Sequence, residues 1–148
     1  MRVLWLCLCL TALGWPAPME GQALRLSPGQ DLKAELVGYI QQHHLQAGAI
    51  VTCVGSLERV VLRLADQAEG TTFEGKFEIV SLVGTLSPDG VHLHLAVSDS
   101  QGHTIGGHLM EGCHVYTTAE IVLVELKDTQ FRRTLDPSTG YPELEVGP

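Results

Sequence analysis

Apolar positions recur at helical spacing in only one stretch of this chain. Leu32, Leu36, Tyr39 and Ile40 share one face of a helix within LRLSPGQDLKAELVGYIQQHHLQAG. Ser27 can cap that helix, Pro28 suits its first turn, Gln30 sits three residues past the cap, and Gly48 can stop it. His43 and His44 fall in the last turn, where positive charge complements the helix dipole.

Everything downstream carries the shorter period of β-strands. AIVTCVG and LERVVLRLA read as two short strands with Gly55 and Ser56 between them. A loop around Asp66 to Thr72 precedes FEIVSLVGTLS, and SPDG turns the chain into VHLHLAV. SDSQG turns it again into HTIGGHLM, and TTAEIVLVEL follows as a long apolar strand that reads as buried on both faces. From Lys127 the chain turns polar. Residues 134–148 are expected to be a polar tail punctuated by Pro and Gly. One helix and about seven strands predict an α+β domain in which the helix covers one face of a sheet.

The start follows another pattern. Met1 and Arg2 precede VLWLCLCLTALGW, an apolar run of thirteen residues, and then Pro16, Ala17 and Pro18. That order is the layout of a secretory signal, so residues 1–22 are expected to be a leader. The run is too short to cross a bilayer as a helix, and no membrane span is expected in the mature chain.

Composition narrows the chemistry. At 148 residues and 45% apolar content, the chain fits one domain with its own core. A formal charge of −8, with no Lys/Arg cluster, argues against direct nucleic-acid binding, which needs a cationic face. There is no Asn, hence no N-glycosylation site. Cys53 and Cys113 remain beyond the leader, lack a CxxC pattern, and read as buried free thiols. Ser81, Ser98 and Cys113 lack the context of a covalent nucleophile, and Gly102, Gly106, Gly107 and Gly112 match no phosphate-binding loop.

Five of the seven histidines fall between Val91 and Glu125. His92 and His94 are two apart and share a strand face, leaving Leu93 and Leu95 for the core. If the SDSQG hairpin centres on Ser100, His92 faces His108 and His94 faces Gly106, and all three imidazoles share a face. An even-numbered loop turns His108 away unless Gly106 and Gly107 form a bulge. Three histidines bind zinc and leave a fourth position open. Glu111, Glu120 and Glu78 are carboxylates that can orient an imidazole or move a proton. A His-x-His pair also fits half-buried histidines bonded to water or carbonyls. His103 and His114 read as turn and strand-end residues.

LRLSPGQDL, GAIVTCVGSL, FEIVSLVGTLS and GGHLMEGCHVYTTAEIVL together resemble the plants-and-prokaryotes conserved (PPC) domain over about residues 23–133. The resemblance implies an α+β fold with a mixed, strongly bent sheet, and a homotrimer joined through sheet edges. It also implies a metal, zinc, at the positions of His92, His94 and His108. Plant members carry an AT-hook, Arg-Gly-Arg-Pro, and no such tetrapeptide exists here. Family members look intracellular, in conflict with the leader. Three readings stay open: an assembly module binding a protein or small molecule, a zinc-dependent hydrolase, and a transcription-associated module acting through a DNA-binding partner.

Overall fold

The computed structural model describes residues 19–148; the apolar run of the leader lies outside them. The elements run β1 (Met19–Leu26), α1 (Leu32–His43), β2 (Gly48–Arg63), β3 (Gly70–Ser87), β4 (Gly90–Ser98), β5 (Thr104–Leu109), β6 (His114–Leu126), β7 (Gln130–Leu135) and β8 (Pro142–Gly147). Among the described residues this is an α+β fold with one helix and eight strands. Met19–Gln22, inside the span of the expected leader, pair with β6. No helix among the described residues is long and apolar enough to cross a membrane.

The main sheet has the order β1-β6-β2-β3-β4-β5, and β5 also pairs with β2, so the far end of the sheet curls into a small closed barrel. Every strand pairing is antiparallel. That corrects the mixed sheet expected from the resemblance. β1 and β2 do run parallel to each other, as a strand–helix–strand unit requires, but β6 lies between them and pairs antiparallel with both.

The bend has a local cause. The two short strands expected on either side of Gly55 and Ser56 are one strand, β2. Gly55 adopts φ 142°, and the register with β6 slips between Gly55 and Leu57. These residues make a bulge rather than a turn, and the bulge bends the strand while pairing continues. The Ser56 hydroxyl then bonds Thr117 Oγ1 across the sheet at 2.6 Å.

The helix begins later than the sequence suggests. Asp31, not Ser27, is the N-cap, and its carboxylate accepts from the Ala34 N–H at 2.8 Å. Backbone bonds from Gly29 N to Val115 O (2.8 Å) and from Leu32 N to Cys113 O (2.9 Å) hold residues 29–32 as an extension along β6. Ser27 is therefore in a turn, its N–H donating to Gln30 Oε1 at 2.7 Å. His44, at φ 53°, ends the helix, and Gly48 opens β2 instead. The second carboxylate oxygen of Asp31 accepts from Gly112 N. Asp31→Ala removes both bonds at once, and we expect it to lower stability by about 1–2 kcal/mol in a urea titration.

Leu32, Leu36 and Ile40 of α1 are buried against Leu57, Val60, Leu62, Leu82, Leu95, Val115, Ile121 and Leu123 from the sheet. Cys53 and Cys113 are free and buried as expected, and burial lifts their thiols to about 12 and about 11. β6 is not buried on both faces. Ile121 and Leu123 face the core, while Glu120 and Val122 are exposed. Val51, Val54, Val80 and Val83 likewise each follow a buried residue and point away from the core, more than half exposed.

The polar segment after Lys127 is a hairpin. β7 and β8 pair from Gln130↔Gly147 to Leu135↔Pro142. Phe131 is buried, and Arg133 N donates to Asp89 Oδ2 at 3.2 Å, which ties the hairpin to the β3–β4 turn.

Candidate metal centre and its cleft

The site rests on the β4–β5 hairpin. Asp99 builds the turn: its Oδ1 accepts from Gln101 N at 2.8 Å and His103 N at 2.9 Å. The loop between Ser98 and Thr104 has an odd number of residues, so parity is kept and His108 lands on the face of His92 and His94. The pairing centres one residue later than expected: His94, not His92, faces His108, and Gly106 faces Ala96. His103 pairs with Asp99 and stays outside the group, and His114 begins β6.

Leu93 and Leu95 fill the core beneath, as the alternation predicts. Above them the three imidazoles converge. Ring centroids are 5.1 Å apart for His92–His94, 5.0 Å for His92–His108 and 4.5 Å for His94–His108. One ring nitrogen from each lies within 4.8 Å of the others, and His92 Nε2 is 3.2 Å from His94 Nε2. Zn–N bonds of about 2.0–2.1 Å in a tetrahedron place ligand nitrogens roughly 3.3 Å apart, so small ring movements complete a three-nitrogen set. Burial, together with neighbouring His94 and nearby Arg133, holds His92 below the usual histidine range. Burial and Arg63 do the same for His108. Both shifts favour the neutral imidazole, the form that donates a lone pair to a metal. The donors fit zinc or another imidazole-binding transition metal.

Glycine lets the strands close around this group. A Cβ on Gly107 would come within 2.7 Å of the Arg63 carbonyl oxygen, so Gly107 is what allows β5 to approach β2. His92 and His108 border a cleft of about 540 Å³. Lys33, Arg63, His92, His108, Arg133, Tyr141 and Glu143 are among its walls. Glu78, Glu111 and Glu120 are not. The carboxylates at the cleft are Asp89 and Glu143. The segment expected to be a tail supplies Tyr141 and Glu143, and Arg133 is the last residue before it. Only the cationic pair Arg132–Arg133 hinted at this in the sequence.

A small, bent antiparallel domain with a three-histidine group at the edge of a cleft is the class of protein these observations define. Residues 16–127 match the Plants and Prokaryotes Conserved (PCC) domain, and the chain belongs to that family. It is 52% identical over 140 residues to the bifunctional protein GlmU of Synechococcus sp. (strain JA-3-3Ab). That match covers 91% of this chain but 22% of the relative, so the chain spans about a fifth of the relative's length. Among solved structures, a hypothetical protein from Salmonella enterica superposes with a TM-score of 0.87 at 46% identity, over 88% of this chain and 95% of that one. A metal-containing protein from Archaeoglobus fulgidus gives 0.73 at 26%, over 85% and 93%.

Proposed function

We propose that this chain is a homotrimeric assembly and binding module whose His92, His94 and His108 hold a zinc ion at the edge of a ligand cleft. The observation that carries this reading is the convergence of three imidazoles, two of which, His92 and His108, line a cleft of about 540 Å³. The likeness to a metal-containing protein from Archaeoglobus fulgidus supports it. Three nitrogen ligands leave one coordination position for water or a bound molecule. A chelator-treated sample titrated with zinc is expected to take up about one equivalent per chain. A chain that takes up none has no such site.

Two features support assembly. The outer edge of β1 is unpaired among the described residues, and Val51, Val54, Val80, Val83 and Val122 expose an apolar surface around the middle of the sheet. A monomer gains nothing by keeping that surface in water, and burial against a copy of itself removes it. Val54→Asp places a charge there without touching the core. We expect light scattering to show the mutant as a folded monomer; a mutant that keeps the wild-type mass contradicts this interface.

The hydrolase reading expected a glutamate at 78, 111 or 120 to move protons. None of these lines the cleft, whose carboxylates are Asp89 and Glu143.

A further inference from the structure

Two arginines bracket the histidine group. Arg63 is the direct cross-strand partner of His108, so its side chain leaves the sheet on the same face. On the opposite side, Arg133 Nη2 donates to Thr85 Oγ1 at 2.8 Å, and Thr85 is the cross-strand partner of His92. Both guanidinium groups therefore stand beside the imidazoles from opposite directions, and both line the cleft together with Lys33.

Their charges are only partly offset. None of Lys33, Arg63 and Arg133 forms a salt bridge among the described residues. Arg63 has one long bond, from Nη1 to the Gln67 carbonyl at 3.5 Å. Arg133 Nε is buried with no hydrogen-bond partner at all. Two carboxylates share the cleft with these three cations, and both bond neutral donors: Asp89 accepts from the Arg133 backbone, and Glu143 accepts from Thr139 Oγ1 at 3.0 Å. A buried, unsatisfied guanidinium N–H is costly, and in a chain of net charge −8 an unpaired cationic trio is a local exception.

We propose that the cleft binds a small molecule carrying an oxyanion, a carboxylate or a phosphate, clamped between Arg63 and Arg133 beside the histidine group. The planar guanidinium fork matches paired oxygens of either group, and two forks facing across a cleft fix the position of the anion. The remainder of the ligand then lies along Tyr141 and Val91, within reach of the metal position. This inference rests on the reading of the triad's cleft as the binding site, not on the metal being present.

Calorimetric titration tests it, using the full chain in chelator-treated and zinc-loaded forms, with inorganic phosphate and with malonate at constant ionic strength. We expect one of the two probes to bind both forms. Preference for malonate assigns a carboxylate ligand, and preference for phosphate assigns a phosphate ester. Arg63→Gln should weaken binding at least about tenfold with zinc content unchanged, and Arg63→Lys, which keeps the charge but loses the fork, should fall in between. Arg25→Gln, at an exposed arginine bonded to Thr118 on β6, should bind as wild type. Binding of neither probe overturns the proposal, as does binding that Arg63→Gln leaves unchanged. Zinc uptake without anion binding overturns this inference alone; anion binding without zinc uptake overturns only the metal site.

Discussion

His108→Ala is expected to strip the chain of its metal while leaving the fold in place. His108 supplies one of only three nitrogens, and no other His, Cys, Asp or Glu among the described residues joins the group. Losing an outer-shell partner already costs metal sites about 10–100-fold, so losing one of three direct ligands should cost more than about 100-fold. The fold should tolerate the change because His108 is only half-buried, while the core beneath it is filled by Leu93, Leu95 and Leu109. His103→Ala is the matched control: it lies on the same hairpin, pairs with Asp99, and should retain metal. Equal metal content in the wild type and the His108 mutant would contradict the assignment.

Gly84→Ala should destabilise the whole domain by roughly 3–5 kcal/mol, among the largest effects of any single methyl group here. Gly84 sits at φ 144°, a conformation L side chains rarely adopt, and its missing Cβ points at the backbone carbonyl of His92 on β4. An added methyl overlaps that carbonyl, and β3 and β4 must separate where Gly84 pairs with Leu93. The same movement displaces His92, so the mutant should also bind metal more weakly than wild type. Urea denaturation reads the stability; a loss under about 1 kcal/mol would show that the two strands have room to spare.

Much of the site was legible in the sequence because strand periodicity is local. The alternation of His92, Leu93, His94 and Leu95 assigns two residues to each face without knowledge of the rest of the fold. Membership of His108 depended only on loop parity, which the Asp99 turn kept odd. Its opposite neighbour depended on where the five-residue loop is centred, at Gln101 rather than Ser100, which moves the partner from His92 to His94. Features set by distant partners were harder to read. Asp31 caps the helix because residues 29–32 first run along β6, a contact more than 80 residues away in sequence that no local cap motif encodes. Gly55 and Ser56 resemble a turn on composition, yet pairing with β6 on one side carries β2 straight through them. The final hairpin is not legible in the sequence because its faces are mostly polar and only Phe131 is buried, so alternation has little contrast there. That gap matters most, since the hairpin brings Arg133, Tyr141 and Glu143 to the cleft.

Metal content distinguishes three ligating histidines from three structural residues of a sheet face. Elemental analysis of the purified chain, on a sample whose mass in solution is measured at the same time, reads it most directly. About one zinc per chain is expected in a trimer, removed by a strong chelator and restored by added zinc. A well-folded trimer that carries no metal and takes none up would contradict it.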